Sequence, residues 1–296
     1  MTTAGTPPRA RAMAAIAGSG ERIIRANGAE LCIETFGKES HPAVLLIHGA
    51  CASMLWWEEE LCRRIAAHDR FVIRYDNRDT GRSTTYPPGR PGYTLTDMAR
   101  DAVGILDVLG IDRAHVVGRS MSGAIALVLG VDHPDRVASL TFVSTTTGRE
   151  GLPPMSPEFL EVSFRSVDPC DRAAVASHVL DLARVYAGGS PAFDEGAMRA
   201  LIARDLDRCA NAASTLGNHF AIEFDGPVLG GFADVRAPTL VVHGGRDPVF
   251  PLPHGEALRD AIPGAELLVL DDAGHDLPER YWDVFADRLA RHSADV

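Results

Sequence analysis

At residues 43–47, 71–75, 115–117, 137–143, 240–242 and 266–270 the chain carries short runs in which apolar residues follow one another instead of alternating with polar ones. A strand reads this way when helices cover both of its faces. Helical patterns lie between the runs. Thr94 and Asp97 are spaced as a capping box, and Leu95, Met98, Ala102, Leu106 and Leu109 then recur at helical spacing. Residues 121–129, 253–262 and 278–292 predict further helices. Such alternation implies a mostly parallel sheet joined by right-handed crossovers. Ahead of it, 21–25 and 30–35 flank Asn27-Gly28, a strong hairpin signal, and bring the expected sheet to eight strands.

The rhythm breaks once. From Thr145 to about Arg236 there is no convincing buried strand, whereas 159–164, 172–186 and 197–216 read as helices. A helical insertion of that length between two sheet strands is expected to fold back over one end of the sheet. The chain therefore divides into an extension over 1–20, expected to be disordered or loosely attached, a core from 21–146 and 237–296, and a helical lid, or cap, over 147–236.

Bulk properties narrow the function more than the fold. Lys and Arg number 29 against 40 Asp and Glu, a net charge of -11, which repels polyanions and argues against nucleic-acid binding. No apolar run approaches the roughly 20 residues of a membrane-spanning helix. The five cysteines are scattered, odd in number and free of Cys-x-x-Cys pairs, as expected of reduced thiols in a cytoplasmic protein. Nothing has the spacing of a zinc site or a phosphate loop, so neither metal nor cofactor is expected.

The informative segment is Gly118-Arg119-Ser120-Met121-Ser122-Gly123, at the junction of a buried strand and a helix. A nucleophile on a tight strand-to-helix turn needs small neighbours, because the strained backbone leaves no room for larger ones. Ser122 stands where a Gly-x-Ser-x-Gly pattern has its second glycine, and serine is small enough for the turn to survive. A serine hydroxyl needs a base. Of the eleven histidines, His275 alone follows the last strand in a turn ready to face the same sheet edge. Asp247, beyond the strand at 240–242, is the carboxylate to orient it. The order Ser120, Asp247, His275 defines the candidate catalytic triad. After the strand at 43–47, His48-Gly49 leads to Ala50, whose N–H is expected to join that of Met121 in an oxyanion hole. Cys51, Trp57, Phe159, Phe164, His219, Phe220 and Phe250 are the candidate substrate-pocket residues. Arg78, Asp79 and Arg82 read as a structural ion-pair network.

These motifs resemble the α/β-hydrolase superfamily from end to end of the folded part. Within it, residues 72–85 (VIRYDNRDTGRSTT), 112–118 (DRAHVVG) and 253–255 (PHG) resemble the aclacinomycin methylesterase group, which removes methyl groups from polyketide methyl esters. The resemblance implies a serine esterase with nucleophile, acid and base at Ser120, Asp247 and His275, and oxyanion donors at Ala50 and Met121. The lid carries no matching stretch, and Arg119 and Ser122 depart from the usual elbow. The expected partner is a small-molecule ester or lactone, and the sequence leaves a homodimer open. A lactonase, carbon–carbon bond hydrolase, thioesterase or perhydrolase would use the same triad. A non-catalytic ligand-binding protein on this scaffold is the alternative of another class.

Overall fold

Along Ala43–Ile47, Ala43, Leu45 and Ile47 enter one apolar cluster, while Val44 and Leu46 enter another on the opposite face. Both faces are covered, which is why the run is apolar at every position. The structure, a computed structural model, describes residues 13–15 and 20–294. In chain order its strands and helices begin β1 (Met13–Ala15), β2 (Arg22–Ala26), β3 (Ala29–Phe36), β4 (Ala43–Ile47), α1 (Glu59–Ala66) and β5 (Phe71–Tyr75). Next come α2 (Leu95–Leu109), β6 (Ala114–Arg119), α3 (Ser122–Asp132) and β7 (Val137–Val143). Four helices follow, α4 (Pro157–Ser163), α5 (Arg172–Tyr186), α6 (Glu195–Arg208) and α7 (Ala212–Gly217). The chain closes with β8 (Thr239–Gly244), α8 (Pro253–Ala261), β9 (Glu266–Leu270) and α9 (Trp282–His292).

Strands β2 to β9 form the eight-stranded sheet, in the order β2-β3-β5-β4-β6-β7-β8-β9. β2, β3 and β5 pair antiparallel, and every pairing from β5 through β4 to β9 is parallel. Asn27 and Gly28 both take positive φ, 45° and 77°, as the two-residue hairpin turn requires. α2 begins with the full capping box of Thr94 and Asp97, and it stops at Gly110 in the left-handed region.

Two sequence expectations need correction, and one helix lies outside them. β1 pairs antiparallel with β2, so Met13–Ala15 extends the sheet at its edge instead of belonging to a loose extension. The rest of the 1–19 reading lies outside the described residues. The single helix expected over 197–216 is two, because Asn211 caps a new helix by accepting the Ser214 N–H. Helix α1 went unread, although Leu61, Cys62 and Ile65 form its buried stripe.

Between β7 and β8 the described residues contain helices and no strand. This insertion is tied to the core at several points. The His275 N–H donates to the Tyr186 carbonyl at 2.7 Å, and the Ser156 N–H to the Pro248 carbonyl at 2.8 Å. On the far side, Arg208 of α6 is buried between Asp76 at 2.8 Å and Glu21 at 2.7 Å. Among the described residues no helix is long and apolar enough to cross a membrane.

On the α1/α9 side of the sheet, Phe285 is fully buried and its ring stacks on Trp57 at 6.3 Å. Phe285→Ala should destabilise the protein by about 3–5 kcal/mol through the cavity it leaves. A shift of the urea midpoint at unchanged slope is the expected result.

Candidate active site

Ser120 sits in the turn from β6 to α3 with φ 52°, a backbone conformation that costs a residue with a side chain free energy. The surroundings enforce it. The Ser120 N–H donates to the Val143 carbonyl at 2.9 Å, and its own carbonyl accepts the Thr145 hydroxyl at 2.7 Å. A Cβ on Gly118 would lie 2.3 Å from the Ser122 carbonyl oxygen, and one on Gly49 would lie 2.9 Å from the Ser120 Cβ. Glycine at those two positions lets β4, β6 and α3 meet around the hydroxyl. Ser122, fully buried, uses its extra atom: its hydroxyl donates to the His48 carbonyl at 2.5 Å.

The sheet edge brings the other two residues to Ser120. His275 Nε2 is 2.9 Å from Ser120 Oγ, and His275 Nδ1 is 2.8 Å from Asp247 Oδ2. An ionised carboxylate only accepts, so Nδ1 carries the proton and Nε2 is left to accept from the serine. Asp247 is fixed from behind by the Val249 and Phe250 N–H groups, at 2.8 and 2.9 Å on Oδ1. Burial pushes its carboxyl up, but the charge and hydrogen bond of His275, with His243 and the Phe250 N–H, outweigh that and hold it below the usual carboxylate range.

Neither the Ala50 nor the Met121 N–H has an acceptor among the described residues. Met121 follows Ser120 and opens α3, where the helix dipole adds partial positive charge, and Ala50 follows Gly49, whose added Cβ would lie 2.9 Å from the Ser120 Cβ. The Cys51 N–H is already used: it donates to His219 Nδ1 at 3.0 Å, while His219 Nε2 donates to the Arg78 carbonyl at 2.7 Å. His219 thus anchors the loop that carries Ala50 and Cys51 rather than lining a pocket. The Cys51 thiol is pushed up to about 12 by burial and then by the charge of Asp79, so it stays protonated.

The remaining pocket candidates separate. Phe250 and the cap residue Tyr186 lean on His275, at 5.6 and 5.1 Å between ring centres, and Phe159 stacks on Tyr186 at 5.7 Å. Trp57 was expected at the pocket wall but is fully buried against Phe285 and His48, because the turn after Met54–Trp56 points it into the core. Its neighbour Trp56 instead lines an apolar cavity beside Cys51, with Val175, Ile202, Asp205 and Leu216. Cys51 itself lines that cavity, and Ser120 does not. Phe164 and Phe220 are 84% and 74% exposed, and the structure does not bring them to the site. Each closes a short helical turn with its ring outward.

Sequence reasoning missed Tyr186 and Asp205. Tyr186 was legible only as the end of a helical pattern, and Asp205 only as a charge on a helix. Asp205 is half-buried, accepts the Trp56 indole N–H at 2.8 Å and also bonds the Ser53 hydroxyl. Of the loop read as an ion-pair network, Arg78 pairs with Asp101 at 2.6 Å and Arg82 with Glu21 at 2.5 Å, whereas Asp79 makes no ion pair among the described residues and accepts the Tyr93 hydroxyl at 2.7 Å.

A family model described as the alpha/beta hydrolase fold matches residues 42–279. The chain is 30% identical to the rhodomycin D methylesterase of Streptomyces sp. strain C5, over 92% of this chain and 97% of that one. It is 28% identical to the 2-hydroxymuconate semialdehyde hydrolase of Pseudomonas sp. strain CF600, over 85% and 88%. Among solved structures, an enol-lactonase from Burkholderia xenovorans LB400 superposes with a TM-score of 0.69 at 23% identity, over 91% and 98%, a likeness of fold.

The close packing at the turn is testable apart from any activity. Gly118→Ala should cost about 2–3 kcal/mol, since its methyl meets backbone that cannot move away. Gly217→Ala, with nothing near its Cβ, should stay within about 0.5 kcal/mol. Chemical denaturation of the two variants side by side checks the difference.

Proposed function

The chain belongs to the α/β-hydrolase family, and we propose that it hydrolyses a carboxylic ester, a methyl ester of a polyketide-like small molecule, through an acyl-enzyme on Ser120. The observation that carries this reading is the unbroken chain of contacts from the Ser120 hydroxyl through His275 to Asp247. Each member has the partner its role requires, and the contacts are already at hydrogen-bond distance.

In this mechanism His275 Nε2 takes the Ser120 proton as the oxygen attacks the ester carbonyl. The tetrahedral oxyanion is received by the Ala50 and Met121 N–H groups, whose capacity no other described residue uses. His275 then gives its proton to the departing alkoxide, methanol leaves, and the acyl group stays on Ser120. Water repeats the sequence with His275 as base and frees the carboxylic acid. Asp247 remains ionised throughout and stabilises the imidazolium. Helices α4–α7 act as the cap, with Phe159, Tyr186 and Phe250 presenting an apolar wall beside the reacting bond.

The methyl-ester assignment draws on the relative that carries methylesterase in its name and aligns over nearly all of both chains. All five cysteines are unpaired, which fits a cytoplasmic enzyme.

A panel of methyl esters, lactones and aryl esters, followed by acid release, tests the proposal. Ser120→Ala should lower kcat by about 10⁶-fold, and Asp247→Asn by about 10⁴-fold through the wrong imidazole tautomer. A serine-directed phosphonate should add its mass to the Ser120 peptide alone. Full turnover by Ser120→Ala would end the assignment, and preference for lactones over methyl esters would replace the substrate class.

A further inference from the structure

Arg119, the residue before Ser120, carries a buried positive charge that the mechanism above does not use. It is 6% exposed, and among the described residues no carboxylate lies within ion-pair distance of its guanidinium. Asp276 and Asp247 act on it only through space. An arginine this deep, without a contacting acid, is costly to bury. Its hydrogen bonds go instead to two parts of the site. One Nη donates to His48 Nε2 at 3.0 Å, and the other donates to the His275 carbonyl at 2.8 Å. The guanidinium carbon is 5.9 Å from the centre of the Trp57 ring.

The partners decide what such a bridge does. Arginine only donates, so His48 must accept through Nε2 as a neutral ring. Burial and then the Arg119 charge hold that imidazole well below its usual range, in keeping with this state. His48 ends the loop-side of β4 and precedes Gly49 and Ala50. Its carbonyl is fixed by Ser122 Oγ and by Asn77 Nδ2 at 3.0 Å. The other arm holds the backbone of the base itself. One rigid planar group therefore spans the strand end that supplies an oxyanion donor and the loop that supplies the imidazole, from the position next to the nucleophile.

We propose that Arg119 is a positioning residue, which registers the Ala50 N–H and the His275 imidazole against Ser120 by bridging the His48 ring and the His275 carbonyl. The inference rests on the esterase reading of the site. Arg119 touches no substrate; it acts through its two partners. The role needs two donors in one plane, which lysine lacks.

The experiment compares Arg119→Met, Arg119→Lys and Ser120→Ala on the best ester of the panel, with thermal unfolding of each. A displacement on the order of 1 Å between base, donor and nucleophile costs about 100-fold. Arg119→Met should therefore lose about 100-fold in kcat with KM within about twofold, and phosphonate labelling of Ser120 should slow in proportion. Arg119→Lys, keeping the charge but only one of the two bonds, should still lose about tenfold in kcat at constant KM. Should Arg119→Met fail to fold, the lysine variant decides. Wild-type kcat in a folded Arg119 variant, with Ser120→Ala inactive, overturns the positioning role alone. Loss expressed only in unfolding temperature or in KM does the same. Turnover by Ser120→Ala instead removes the esterase reading on which it stands.

Discussion

Everything at the sheet edge depends on how closely the end of β4 approaches the turn after β6. Gly49 leaves 2.9 Å between a would-be side chain and the Ser120 Cβ, and Gly118 leaves 2.3 Å to the Ser122 carbonyl. No larger residue fits either place. That approach brings the loop that carries Ala50 up to Ser120, which holds a positive φ. Strain there is tolerated because flanking hydrogen bonds from both β7 and the Thr145 side chain overdetermine the turn.

Around this point the structure is rigid by construction. The parallel register of β4, β6, β7 and β8 brings their carboxyl ends to one edge, and the apolar faces on both sides of the sheet fix that register. Asp247 needs three hydrogen bonds to stay charged while buried, and two come from the backbone of its own turn. The loop before α1 is held by a different set of groups. Asp76 accepts the Met54 N–H at 2.8 Å and pairs with Arg208 from the inserted helices, so a single carboxylate joins that loop to the cap.

The strands and the three residues around the hydroxyl were legible because their signals are local: apolar runs, small residues at a turn, and an acid and a base just beyond strand ends. Ser122 was legible as tolerable but not as useful, since the carbonyl it binds comes from the loop after β4, 74 residues away. The pocket was harder to read for a related reason. Trp56 and Trp57 are neighbours in sequence, yet one faces a cavity and the other the core, and only the turn at Met54–Trp56 settles which. Phe164 and Phe220 misled because aromatic identity says nothing about which side of a short helical turn faces outward. His219 looked like a pocket residue and proved to be a brace, since both of its ring nitrogens are spent on backbone.

The insertion reaches His275 through its main chain. Tyr186 receives the His275 N–H through its main-chain carbonyl, and the Gly274 contact is likewise to main chain. Because this hydrogen bond involves no side chain of α5, the helix can exchange its lining residues without losing it. The scaffold thereby separates what must be preserved from what is free to drift. New chemistries of recognition can be written onto α5 and its neighbours while Ser120, Asp247 and His275 keep their places.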